Sequence, residues 1–103
     1  DLICVLVDGV DAAPESRMDT EGYLAMKRSV EKTYPGLPIV PFVLGGGTDS
    51  RHFLEVTDQV LRFSPMHAAP EQGRGVHGDN ESAYIKDVED AAKCYYELLK
   101  NQL

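Results

Sequence analysis

The chain has 103 residues, a formal net charge of −7 and 43% hydrophobic side chains, which bounds it to one domain or parts of two. This composition excludes a disordered polar chain. The acidic balance excludes nucleic acid as a partner, because phosphate contact needs clustered Lys and Arg, and no apolar run reaches the roughly 20 residues of a membrane span.

Residues 2–7 (LICVLV) form a continuous apolar run rich in β-branched side chains, which predicts a buried strand. Asp1 enters this run without an initiator Met and reads as an internal cut point. A polar connection through Pro14 leads to a helix predicted over about residues 20–34. There Tyr23, Met26, Val30 and Tyr34 recur at helical spacing, with Glu21, Lys27, Arg28, Glu31 and Lys32 on the other face. Pro35-Gly36 ends that helix. Residues 39–44 (IVPFVL) predict a second strand, placed at an edge or a strand end by Pro41, which has no N–H to donate.

Three glycines, Gly45 to Gly47, then open a short helix from Thr48 to about Val56. A third short strand is predicted over 59–63 (QVLRF), followed by a loop over 64–75. In the last helix Asp87 is placed as the cap, and Val88, Ala91, Ala92, Tyr95, Leu98 and Leu99 line one face. The order strand, helix, strand, helix, strand, helix is that of an α/β (α+β) chain. Cys4 on the first strand and Cys94 on the last helix read as buried free thiols, and point to a reducing cytoplasm.

Two segments carry candidate chemistry. Consecutive glycines before a helix let a ligand approach the backbone, and the free N–H groups of the first turn point at it. In Gly46-Gly47-Thr48-Asp49-Ser50-Arg51, Thr48 is placed as the N-cap, Ser50 adds a hydroxyl, and the Arg51 guanidinium presents a fork for a carboxylate. The plain alternative is a capped loop with a surface arginine. His77, with Gly78, Asp79, Asn80 and Glu81 after it, has the chemistry of a metal ligand whose second nitrogen a carboxylate can orient. The plain alternative is a solvated loop histidine. His52 and His67 supply no second ligand at metal spacing, and neither cysteine has a histidine beside it for nucleophilic catalysis.

The strings GGGTDSRHF, VLRFSPM and GVHGDNE, followed by a helix ending YYELLKN, resemble the C-terminal part of the aminoacylase/carboxypeptidase family of dinuclear-zinc metallopeptidases. That family includes acetylornithine deacetylase, succinyl-diaminopimelate desuccinylase and Gly-Xaa carboxypeptidase. The Thr-Asp-Ser-Arg-His-Phe and Arg-Phe-x-Pro signatures are most similar to its Gly-Xaa carboxypeptidase and N-acyl-amino-acid hydrolase branch.

The resemblance implies two portions. Residues 1–46 would be the second half of a lid and dimerisation domain, a strand–helix–strand half of a ferredoxin-like unit. Residues 47–103 would be a helix–strand–helix segment of the catalytic zinc-peptidase domain, closing the chain. It further implies that His77 is the last zinc ligand, that Gly46 to Arg51 form the substrate-facing turn with Arg51 on the substrate carboxylate, and that Glu81 stands behind the metal. Two zinc ions would serve the full-length enzyme, with one ligand supplied here. A glutamate from elsewhere would deprotonate a zinc-bound water for attack on the amide of a peptide or N-acyl amino acid.

No catalytic residue falls within this chain, so the 103-residue polypeptide alone is expected to be inactive. A homodimer through the lid portion is a further implication. The competing expectation is a self-standing, non-catalytic α/β module that binds an anionic small molecule or associates with itself.

Overall fold

A computed structural model describes residues 2–5, 9, 11–67 and 76–100. Helix α1 spans Glu21–Thr33. The Thr20 side chain caps it by accepting the Tyr23 N–H at 3.3 Å, and Glu21 in the first turn and Lys32 in the last suit the helix dipole. The stop is as local as the start. The Tyr34 N–H still reaches Val30 O at 2.7 Å, then Gly36 takes φ +84°, left-handed backbone that a side chain resists. A 3-10 helix, η1, spans Asp49–Glu55, and α2 spans Ile85–Lys100.

The core of the described residues lies between α1 and α2. Its buried residues are Ala25, Met26 and Ser29 of α1 and Ala91 and Cys94 of α2, with Ser29 against Cys94, and Ala25, Ser29 and Cys94 have no exposed surface. Small side chains on both helices let the backbones approach closely. The Ser29 hydroxyl is satisfied within its own helix by donating to Met26 O at 2.7 Å, so its burial leaves no polar group unpaired. At one edge Lys32 Nζ sits 2.6 Å from the Glu97 carboxylate and joins the two helices.

The segment after η1 is strapped along this pair. The Ser16 hydroxyl donates to Val60 O, and the Gln59 amide meets the Arg17 backbone. Farther on, the Tyr95 hydroxyl donates to Phe63 O at 3.4 Å, with the two rings edge to face at 6.3 Å. At the far end the Tyr34 hydroxyl donates to Pro65 O at 2.6 Å. Burial first, then the Asp90 charge, push the Tyr34 ionisation up, so it stays a neutral donor. Residues 59–65 thus reach from the entry of α1 to its exit. No described helix is long and apolar enough to cross a membrane.

The α/β expectation is corrected by this architecture. The described residues hold three helices and no strand, neither the strand–helix–strand half-lid nor the strand between the later helices. The physical reason is that a strand exists only as part of a ladder, with a second backbone about 4.8 Å away. All the turn and cap backbone bonds among the described residues join positions four apart or closer. Residues 2–5 and 39–44 are therefore irregular, and apart from the half-buried Ile39 their side chains stand in the open: Leu2 is 100% exposed and Val43 92%. Cys4 is exposed, not buried. Positions 6 and 7 of the first run, and 68–75 of the loop, lie outside the described residues.

The last helix also differs in detail. It starts at Ile85, so Asp87 falls inside its first turn rather than at the cap, and the buried Asp87 Oδ2 has no hydrogen-bond partner. Its packed face is Ala91 and Cys94, while Val88, Tyr95 and Leu99 are 42–64% exposed. On α1 the buried stripe is Ala25, Met26 and Ser29, with Tyr23, Val30 and Tyr34 half-buried beside it.

Candidate functional site

The glycine-led turn forms as its sequence dictates. Thr48 is the N-cap of η1, with φ −139° and ψ 160°. Its hydroxyl oxygen accepts the Ser50 N–H at 3.3 Å, and its carbonyl accepts the Arg51 N–H at 3.3 Å. The Thr48 and Ser50 hydroxyls hydrogen-bond to each other. The Arg51 side chain folds back over the turn, so that a Cβ built on Gly47 would lie 3.8 Å from Arg51 Nη2. Ordinary van der Waals contact of this kind means Gly47 leaves the guanidinium an open approach along the backbone.

Gly47, Thr48, Asp49, Arg51 and His52 line one shallow, open depression of about 260 Å³. Its five lining residues fall within a six-residue stretch interrupted only at Ser50, and four of them, Gly47, Thr48, Asp49 and Arg51, belong to the turn read from the sequence. His52 is the addition. Its signal was adjacency to Arg51 in a tight helix, where successive side chains fan around one end. Gly46 is exposed beside the depression and does not line it, and Ser50 is half-buried with its hydroxyl turned to Thr48. Chemically, the depression presents one guanidinium and one carboxylate, Arg51 and Asp49. That pairing suits a ligand with both an anionic group and an N–H donor.

His77 and Glu81 do not line this depression. His77 sits in an exposed turn over 76–80 with φ +60°, and Asn80 follows with φ +62°. Left-handed backbone at a histidine is uncommon and costs roughly 1 kcal/mol. It projects the residue from the chain, beside exposed Asp79 and Glu81. As a zinc site the described residues do not suffice. No three of their His, Cys, Asp or Glu side chains come together, and zinc needs three or four protein ligands.

Comparison with known proteins gives a consistent picture. The profile of peptidase family M20/M25/M40 matches residues 5–101. N-fatty-acyl-amino acid synthase/hydrolase PM20D1 of Xenopus tropicalis is 33% identical over 97 residues, covering 93% of this chain and 19% of the relative. PM20D1.1 of Danio rerio, with the same description, is 31% identical over 97 residues, covering 92% and 19%. Probable carboxypeptidase S-like 2 of Dictyostelium discoideum is 26% identical over 92 residues, covering 89% and 18%. The chain thus spans about a fifth of the length of these relatives. No solved structure matches it.

Proposed function

The chain belongs to peptidase family M20/M25/M40, and from that premise we propose that it works within an enzyme hydrolysing the amide bond of peptides or N-acyl amino acids. Its part is to hold the substrate's terminal carboxylate. The observation that carries this reading is the Arg51 guanidinium folded over Gly47 in a depression shared with Asp49 and His52. A bidentate Arg–carboxylate pair fixes orientation as well as affinity. The Asp49 carboxylate offers an acceptor for the amide N–H, whose nitrogen is bonded to the same carbon that carries the substrate carboxylate. The names of the relatives, hydrolases of N-fatty-acyl amino acids and a carboxypeptidase, support a substrate with a free carboxylate next to an amide.

Members of this family are typically metal-dependent, and the reading assigns His77 as one zinc ligand with Glu81 behind it. The remaining ligands are assigned to residues other than those described. Residues 1–46 are assigned to the lid, through which two copies would associate, and 47–103 to the catalytic domain. Helix α1 falls in the first of these portions, and η1 and α2 in the second.

The test uses the gene product containing this chain, assayed on an N-acyl amino acid and a dipeptide with its zinc content measured in parallel. Hydrolysis of either substrate, with zinc lost on His77→Ala, is the expected result. Full zinc retention by the variant would remove His77 from the metal site, and a protein inert on both substrates would remove the hydrolase reading.

A further inference from the structure

The two flanks of the Arg51 turn are unlike. Before it, Gly45, Gly46 and Gly47 are exposed, and a Cβ on Gly45 or Gly46 would meet nothing within 4 Å. That flank is a swivel. After it, hydrogen bonds follow one another without a gap. The Phe53 carbonyl accepts the Val56 and Thr57 N–H groups, both at 3.0 Å. The Thr57 hydroxyl oxygen accepts the Gln59 N–H at 3.2 Å. The Gln59 side chain then grips the chain ahead of α1 from both sides: the Arg17 N–H donates to Gln59 Oε1 at 2.9 Å, and Gln59 Nε2 donates to Arg17 O at 2.8 Å. One carboxamide thus satisfies a backbone donor and acceptor of the same residue, as a neighbouring strand would.

We propose that Gln59 is the positioning residue for Arg51: its two-bond clamp on the Arg17 backbone sets the direction of η1, and so where the guanidinium meets a substrate carboxylate. This rests on the carboxylate-binding reading above. A turn hinged freely on one side takes its orientation from the side that is held. Between Gln59 and the end of η1 stand only Val56, Thr57 and Asp58, the first two tied by the bonds just named, so a change at Gln59 has little slack in which to dissipate. The neighbouring Ser16 bond to Val60 O fastens the same junction but lies outside this relay, which makes it the natural control.

The experiment compares wild type, Gln59→Leu, Gln59→Glu, Ser16→Ala and Arg51→Ala in the gene product containing this chain. Two readouts are taken: the KM ratio between an N-acyl amino acid and its C-terminal carboxamide, and amide hydrogen exchange across residues 48–57. Gln59→Leu is expected to erode the preference for the free carboxylate by about tenfold, the worth of one to two hydrogen bonds, with kcat nearly unchanged. Exchange should quicken at residues 53–57 while Ala91 and Cys94 keep wild-type protection. Ser16→Ala should resemble wild type in both readouts. If Gln59→Leu does not fold, Gln59→Glu, which keeps the acceptor and loses the donor, carries the same expectations.

The proposal is overturned if Arg51→Ala abolishes the preference and the Gln59 variants retain it, or if Ser16→Ala matches them. Should Arg51→Ala leave the preference intact, the carboxylate reading fails. Exchange then decides on the clamp alone, quickening at 53–57 upholding it and an unchanged pattern overturning it.

Discussion

Ser29 Oγ lies 3.6 Å from Cys94 Sγ at the crossing of α1 and α2, and both side chains are fully buried. Two small polarisable groups at that point hold the helices close. Substituting Ser29 by Leu is expected to destabilise the fold by about 1–3 kcal/mol through overpacking, read from a urea midpoint. Because Cys4 is exposed and Cys94 buried, a thiol reagent should modify one cysteine quickly in the native protein and both in denaturant. Equal rates for the two thiols in the native state would contradict the α1–α2 core.

Acid should loosen the same helix pair. A hydrogen bond from Lys32 chiefly holds the Glu97 carboxyl below the usual carboxylate range, and bonds from Lys86 and then Lys93 do so for Asp90. A lowered folded value means the stabilisation is present above the ordinary carboxylate range and is lost as pH falls through the lowered values. In Lys32→Met the Glu97 carboxyl should titrate higher by NMR, and the acid limb of the stability curve should flatten. An unmoved Glu97 titration would show that the inter-helix pair does not form in solution.

The turn carrying His77 has its own backbone test. Asn tolerates the left-handed region better than Ala does, and Gly better still. With φ +62° at position 80, Asn80→Ala is expected to cost about 1 kcal/mol, and Asn80→Gly to be neutral or slightly stabilising. The reverse order of the two variants would place Asn80 outside that region.

The helices were legible in the sequence because their signals are local. Thr20, Thr48 and Tyr34 act through bonds to residues two to four positions away and Gly36 through its own positive φ, so short windows contain the whole cause. Strands were not legible in the same way. Residues 39–44 have the composition of a strand, but composition cannot supply a pairing partner, and Phe42 is 78% exposed.

The buried face of α2 was legible only in part, at Ala91 and Cys94, for a related reason. Apolar residues occupy more than one side of it, and periodicity does not say which side α1 meets. The small residues Ala91 and Cys94 decide that. The glycine-led turn was readable as a unit because its parts lie next to one another in the chain, whereas the clamp from Gln59 to Arg17 spans 42 positions and left no trace in local pattern.

The most direct test of the central claim is the KM of Arg51→Ala, in the gene product containing this chain, for an N-acyl amino acid and for its C-terminal carboxamide. If Arg51 holds the carboxylate, KM for the free acid should rise about 10- to 100-fold, as expected for loss of a charge-assisted hydrogen-bonded pair. KM for the carboxamide should stay within about twofold, and Arg51→Lys should recover little of the loss. Equal change for both substrates, or none for either, would contradict the account.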